Sequence, residues 1–103
     1  MDDANNVRTG RVVAKIYVNL ACAYGQKYRW SRQNHPNVDS QALRNDALNA
    51  IKAAVTIDRA VQGQLRMLMD PEFPNKDPKE NDLEVFVDDN DFREAVGMPK
   101  LQA

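Results

Sequence analysis

Aromatic and cationic side chains alternate over residues 24–35, and this is the segment best equipped for chemistry. Its members are Tyr24, Lys27, Tyr28, Arg29, Trp30, Arg32 and His35. Cations neutralise phosphates and aromatic rings stack on unpaired bases, so this composition suits single-stranded nucleic acid or a nucleotide. Tyr, Trp and Arg also make many of the dominant contacts of protein interfaces. The segment therefore predicts a nucleic-acid contact, a protein contact, or a structural wedge of aromatic rings with solvated cations.

Arg29 and His35 are the pair in this segment that comes nearest to a catalytic set. Their spacing resembles the Arg-x(4–6)-His signature of the small helical ribonucleases called HEPN domains, and the resemblance implies an Arg and a His that polarise the scissile phosphate and transfer protons. Trp30 follows the arginine where that family usually has a polar residue, and Pro36 follows the histidine. The sequence has no second histidine, glycine-rich phosphate loop or nucleophile elbow. We therefore predict that the protein is not an enzyme and uses no cofactor.

The densest group of carboxylates lies near the carboxyl end of the chain and consists of Asp88, Asp89, Asp91 and Glu94. A calcium loop alternates its ligands around a central glycine and ends with a bidentate glutamate, and this spacing is absent. A zinc site would need Cys or His side chains nearby. Carboxylates at the start of a short helix are expected from the helix dipole alone. We predict no metal site.

The composition is that of one small folded protein. The chain has 103 residues, of which 43% are hydrophobic and 28% charged, values that are too apolar for a disordered chain. It contains a single cysteine, Cys22, which leaves no internal disulfide to form. The acidic amino terminus is unlike a secretory signal, and the most apolar run, 12–23, is too short to cross a membrane. We expect an intracellular, soluble protein with no membrane partner and no small-molecule substrate.

The net charge of −1 hides an uneven distribution of charge. Residues 1–70 contain ten Lys/Arg and six Asp/Glu, whereas residues 71–103 contain four and nine. Residues 4–38 contain six basic residues and no acidic one. The sequence therefore predicts a basic body and an acidic tail.

Two long helices are predicted in the body. Residues 39–69 keep an uninterrupted helical period, with two adjacent apolar rows formed by Leu43, Ala47, Ala50, Ala54, Ile57, Val61 and Leu68 and by Leu48, Ile51, Val55, Leu65 and Met69. An earlier helix should begin near residues 5–9, or after Gly10, and end near Asn34, because Pro36 disfavours helical backbone at His35. Its predicted apolar face is Val13, Ile16, Tyr17, Leu20, Ala23 and Tyr24. The short connection makes the helices antiparallel neighbours.

The tail is predicted to be an arm attached to this hairpin. Three prolines within 71–78 indicate an extended linker. The segment 83–87 alternates like a strand, and is interpreted either as a short helix or as an addition to a partner's sheet edge. A cap at 88–91 and Gly97 then bound a short terminal helix. The predicted fold is all-α: a long antiparallel helical hairpin, 1–70, with an extended acidic C-terminal arm, 71–103, that ends in a short helix.

By elimination, the sequence favours a non-enzymatic interaction or assembly protein, such as an accessory subunit, a viral structural component or an inhibitor. It would act by self-association or by docking on a larger protein partner, since the broad apolar face of the second helix can take more than one neighbour. The predicted interface residues are Ile51, Val55, Leu65, Met69, Phe73, Phe86 and Phe92. The alternative is a nucleic-acid-binding protein in which the acidic tail competes for the basic helix. That contact would use Lys27, Tyr28, Arg29, Trp30 and Arg32.

Overall fold

A computed structural model describes the backbone of residues 3–102 and the side chains of residues 8–102. Met1, Asp2 and Ala103, which belong to the predicted segments 1–70 and 71–103, lie outside the described residues. Every regular element in the described part of the chain is helical, so the all-α prediction is confirmed. The elements are α1 (Asp3–Asn34), α2 (Gln41–Ile57), a 3-10 turn (Arg59–Val61), α3 (Gln62–Met69), a second 3-10 turn (Glu84–Phe86) and α4 (Asn90–Ala95).

The first two helices pack against each other as a helical hairpin, as predicted. The 32 residues of α1 span roughly 48 Å at 1.5 Å per residue, close to the molecule's longest dimension of 52 Å. The last turn closes with the N–H of His35 donating to the carbonyl of Ser31 at 2.7 Å, and Pro36 then stops the helix. Asp39 opens α2, because its Oδ1 accepts the N–H of Gln41 at 2.9 Å.

The prediction of one continuous helix over 39–69 is wrong, because the helix is interrupted at Asp58. This residue has extended backbone, with φ −147° and ψ 101°, and it separates α2 from the 3-10 turn that leads into α3. Its Oδ1 accepts the N–H of Ala60 at 3.0 Å and so caps the next helical segment. The two preceding residues, Thr56 and Ile57, are β-branched and weak helix formers. The apolar period continues across the break, which is why periodicity alone predicts one helix.

The buried side of α1 also differs from the predicted one. Among residues 8–34 of this helix, whose side chains are described, the buried ones are Ala14, Val18, Ala21 and Gly25. Three residues predicted to face the core are exposed instead, namely Ile16, Leu20 and Ala23. Small residues on this side of α1 allow neighbouring segments to approach the helix closely. A Cβ added at Gly25 would collide with the backbone carbonyl oxygen of Asp82 and lie 3.2 Å from Leu83 Cδ2. The neighbouring segments therefore pack on the small residues, and larger apolar side chains point outward.

Residues of both predicted segments share one hydrophobic core. Leu83, Phe86, Phe92 and Val96 are buried in the same cluster as the apolar residues of α2 and α3. The strand-like run 83–87 forms the second 3-10 turn, and the N–H of Leu83 donates to the carbonyl of Leu68 at 3.3 Å. Asp89 caps α4 by accepting the N–H of Asp91 at 3.0 Å. Gly97 follows α4 at φ 77°, a conformation that favours glycine.

Candidate functional site

The residues predicted to form a protein interface lie mainly in the interior of the chain. Those with almost no exposed surface are Ile51, Leu65, Met69, Phe86 and Phe92. Val55 and Phe73 are half-buried. The apolar face of α2 and α3 packs against a second element besides α1, but that element is the chain's own C-terminal third. None of the five buried side chains has surface with which to contact a partner in this conformation.

Stacked aromatic rings connect the C-terminal third to α1. The Phe86 and Phe92 rings lie nearly parallel, with centroids 4.0 Å apart and an interplanar angle of 5°. Tyr28 of α1 packs against Phe86 with a centroid distance of 4.9 Å. Aromatic pairs of this kind add about 0.5–1.5 kcal/mol to the energy of their burial. Phe86 and Phe92, two of the three phenylalanines that the sequence suggests as interface residues, therefore stabilise the fold itself.

Arg44 of α2 binds two carboxylates at the start of α4, the capping Asp89 and Asp91 of the first turn. Its Nε and Nη2 donate to the two carboxylate oxygens of Asp89 at 3.0 Å each, and Nη2 donates to Asp91 Oδ2 at 2.6 Å. The guanidinium also lies over the Phe92 ring, 5.3 Å from its centroid. Hydrogen bonding from Arg44 lowers the pKa of Asp91 below its usual value. These carboxylates have a structural use, holding α4 on the hairpin.

The residues predicted to contact nucleic acid do not form one surface. Lys27, Arg29 and Trp30 line an open groove on α1, together with Ala23, Gln26 and Gln33. Tyr28 is half-buried against Phe86. Arg32 is exposed, and at 100° per residue it points roughly 160° around the helix from Trp30. The groove therefore offers one aromatic ring and two cations.

His35, the other member of the Arg–His pair, is exposed just beyond the end of α1. Its ring meets the Trp30 ring edge-on, with centroids 5.1 Å apart. Within the described residues, no group of three or more His, Cys, Asp or Glu side chains is placed to hold a metal ion. The tail carboxylates whose ion pairs are described bind Arg44, Lys76 and Lys100 rather than the cations of α1.

Cys22 is half-buried on α1, beside the segment that carries Glu80 and Asp82. Burial, the carboxylate of Asp82 and then the charge of Glu80 raise the pKa of Cys22 from 9.0 to about 12. The thiolate is the nucleophilic form of cysteine. The surroundings of Cys22 therefore favour the protonated thiol over the thiolate.

We expect the Cys22 thiol to react slowly with Ellman's reagent in the folded protein. A rise in pKa from 9.0 to about 12 lowers the thiolate fraction at pH 8 roughly a thousandfold. The rate should approach that of an ordinary thiol when urea unfolds the chain, which provides the control. Asp82→Asn removes one neighbouring carboxylate and should speed the reaction of the folded protein. Equal rates in the folded and unfolded chains would contradict this account of the thiol.

A row of large apolar side chains lies exposed on the side of α1 that faces away from the core. Val12, Ile16 and Leu20 follow at steps of four residues and are 61%, 59% and 39% exposed. Trp30, which is 57% exposed, lies about five turns beyond Val12 at 3.6 residues per turn. We call Val12, Ile16, Leu20, Ala23 and Trp30 the outward face of α1. It spans roughly 27 Å along the helix.

Grooves with polar and charged rims flank the outward face. One, between α1 and the first 3-10 turn, is lined by Arg8, Arg11, Val12, Lys15, Asp58, Ala60, Val61 and Gln64. Another, between α1 and α2, is lined by Tyr17, Leu20, Tyr24, Asp46, Asn49, Ala50 and Ala53. The outward face therefore forms a straight apolar ridge between two shallow depressions, and one depression carries three cations on its rim.

The outward face is not evident from the sequence, because α1 is apolar on almost every side between residues 12 and 24. A periodicity argument cannot choose the core side of such a helix. The spacing of the small residues does indicate which side of α1 faces the core. Ala14, Ala21 and Gly25 lie on one side of the helix, where neighbouring segments can pack closely. The larger residues Val12 and Ile16 then fall on the opposite side.

No helix in the described part of the chain combines the length and the apolarity that crossing a bilayer requires. Comparison with protein-family models, with curated proteins and with solved structures finds no match to this chain.

Proposed function

We propose that this protein is a small non-enzymatic interaction protein that docks on a protein partner, or on copies of itself, through the outward face of α1. The observation that carries the proposal is the row Val12, Ile16 and Leu20, exposed while the core beneath is closed. Three adjacent large apolar side chains on one rigid helix are a concentrated patch for a monomer of this size. Burying such a patch is the main favourable term in protein association.

Several further features support an interaction protein over an enzyme. The cations and carboxylates in the described ion pairs join α2 to α4, Lys76 to Glu84, and Glu94 to Lys100, so they brace the fold. The thiol of Cys22 has a raised pKa. The surface feature that these contacts do not account for is the outward face of α1, which is apolar.

We expect Ile16→Asp to abolish partner binding without unfolding the protein. Ile16 is exposed, so its replacement should change the free energy of unfolding by roughly 0.5 kcal/mol or less, whereas a buried aspartate at an interface would be strongly unfavourable. Tagged wild type and variant serve as baits in extract of the organism that encodes the chain, with light scattering after size-exclusion chromatography to detect self-association. The matched control is Val38→Asp, because Val38 is 58% exposed but lies in the loop after α1.

A variant Ile16→Asp that keeps every interaction of the wild type, including any self-association, would overturn the proposal. Loss of binding by both Ile16→Asp and Val38→Asp would also count against it, since the effect would not be specific to α1.

Nucleic-acid binding is the second candidate, and the observation that favours it is the shared groove of Lys27, Arg29 and Trp30. Stacking of one base on Trp30 with a phosphate between two cations fits that groove. Two of the five residues assigned to this function lie elsewhere, Tyr28 against Phe86 and Arg32 on another side of the helix. A titration with a single-stranded oligonucleotide, read through Trp30 fluorescence, separates this candidate from the first.

A further inference from the structure

The outward face of α1 has cations beside both of its ends. Arg8, Arg11 and Lys15 lie beside Val12. Lys27 and Arg29 lie beside Trp30. None of these five takes part in an ion pair among the residues whose side chains the structure describes. The carboxylate of Asp58 also lines the first groove, but its Oδ1 accepts the N–H of Ala60. On the other side, the groove between α1 and α2 is lined by one charged residue, Asp46. The face is therefore apolar along its middle, with its cations at the two ends.

A second α1 does not complement this face. Residues 4–38 contain six basic residues and no acidic one. Two outward faces packed together would bring the cations at their ends near one another in either relative orientation, and α1 offers no carboxylate within residues 4–38 to pair with them. Like charges across an interface cost up to several kcal/mol and suppress that pairing. The charge of the helix thus disfavours a dimer built from two α1 helices.

The acidic third of a second copy does not complement the face either. That third has nine acidic residues against four basic ones, so its charge is suitable. Its large apolar side chains, however, are mostly buried in its own core: Leu83, Phe86, Phe92 and Val96. Val85 and Leu101 remain exposed, but they lie outside any described helix of more than one turn. Val85 and Leu101 therefore cannot form a row of side chains at four-residue steps. A partner that matches the outward face of α1 would need such a row, since the face is roughly 27 Å long, the length of five helical turns.

Polar side chains on the rim of the face argue against a lipid surface. Asn19, Gln26 and Gln33 are exposed between the apolar row and the basic flank. Amides buried against acyl chains would lose their hydrogen bonds, at a cost of up to several kcal/mol each. A protein partner can offer polar side chains to those amides while covering the apolar row.

We propose that the outward face of α1 binds an acidic amphipathic helix of a partner protein. The inference rests on the proposed docking function and adds the chemistry of the partner. The partner helix lies along α1, with apolar residues at steps of three and four that pack beside Val12, Ile16 and Leu20. Its carboxylates flank that apolar row and pair with Arg11 and Lys15 at one end and with Lys27 at the other.

The test uses the whole protein and Trp30, the only tryptophan in the chain, as its reporter. The probe is a synthetic three-heptad peptide without tryptophan, with leucine at the a and d positions and glutamate at e and g. Repulsion between the glutamates at neutral pH keeps the free peptide from forming coiled coils. Burial of Trp30 beneath the peptide should shift its emission to shorter wavelength, saturably, and high salt should weaken binding about tenfold or more.

Two control peptides and three protein variants sharpen the test. A peptide with lysine in place of every glutamate, and one with serine in place of every leucine, should each bind at least about tenfold more weakly. Ile16→Asp should abolish the shift, and Val38→Asp should leave it unchanged. The double variant R11E/K15E reverses the charge beside Val12. It should bind the glutamate peptide more weakly than the wild type does, and the lysine peptide more strongly.

Equal responses to the glutamate and lysine peptides, or no response to either, would overturn the inference. A shift produced only by phosphatidylserine-containing vesicles would assign the face to lipid, and one produced only by a single-stranded oligonucleotide would assign it to nucleic acid. A shift that grows with protein concentration alone, with a dimer in light scattering, would assign it to a second copy. Each of these outcomes overturns the acidic-helix partner, while the docking function fails separately if Ile16→Asp keeps its interactions in extract.

Discussion

Replacing Phe92 with alanine is expected to lower the free energy of unfolding by about 3–5 kcal/mol, the usual cost of removing a fully buried phenylalanine. Phe92 has no exposed surface, stacks on Phe86 at 4.0 Å and lies beneath the guanidinium of Arg44. Its loss leaves a cavity where α4 meets α2 and removes the cation–π contact. Urea unfolding followed by circular dichroism measures the change.

The matched control is Phe73→Ala, since Phe73 is also a phenylalanine of the C-terminal third but is only half-buried. It should cost clearly less than Phe92→Ala, because fewer atoms leave the interior. If Phe92→Ala cost no more than Phe73→Ala, the packing of α4 on the hairpin would be contradicted. The pair also separates a structural role for these rings from the docking role that the sequence suggests.

Gly25→Ala is expected to lower the free energy of unfolding by about 1–3 kcal/mol, even though alanine is the better helix former. The added Cβ would collide with the carbonyl oxygen of Asp82, which belongs to the backbone and cannot rotate away as the end of a side chain can. Relief requires the chain at Asp82 to move, which disturbs the bond between Gln26 Nε2 and Asp82 Oδ1 at 2.7 Å. Urea unfolding measures this effect as well.

Gly63→Ala provides the opposite case within the same protein. Gly63 lies in α3, and a Cβ added there meets no atom within 4 Å, so alanine should raise the free energy of unfolding by about 0.5–1 kcal/mol. Opposite signs for the two glycine variants would show that close approach, rather than helix propensity, decides the outcome at Gly25. Stabilisation by both would contradict the packing of the segment around Asp82 on α1.

The helical hairpin is the part of the fold that local sequence determines. Pro36 ends α1 within the residues expected, and the carboxylate of Asp39 caps α2, because both effects act over a few residues. The break at Asp58 is also local in origin, but its signal is one aspartate after two β-branched residues. Such a signal is too weak to override an apolar period that continues through it.

The sides of the helices that face the core depend on distant residues, and here the sequence predicted less. The strand-like run 83–87 has no partner strand among the described residues, and its alternation gives no information on where the Phe86 side chain packs. The side of α1 that faces the core is determined by the segments that pack against it. At Gly25 that segment is the backbone at Asp82, some fifty-seven residues later in the chain. The exposed positions of Ile16 and Leu20 follow from that choice.

The candidate docking surface was therefore missed for a physical reason. The helical period places Ile16 and Leu20 on the predicted core side of α1, and the predicted interface residues lie in the second predicted helix and in the tail. Once the tail covers α2 and α3, Phe86 and Phe92 are buried within the chain. A row of exposed apolar side chains remains on α1, in the segment that also carries six basic residues and no acidic one.

The most direct test of this account is a photo-crosslinking measurement in cells, with benzoylphenylalanine incorporated in place of Ile16 in one variant and in place of Val38 in another. The two positions are equally exposed, at 59% and 58%, but only the first lies on the outward face of α1. We predict a discrete crosslinked protein band from position 16 and none from position 38. Crosslinks from position 38 alone, or no crosslink from position 16, would contradict the claim that α1 is the docking surface.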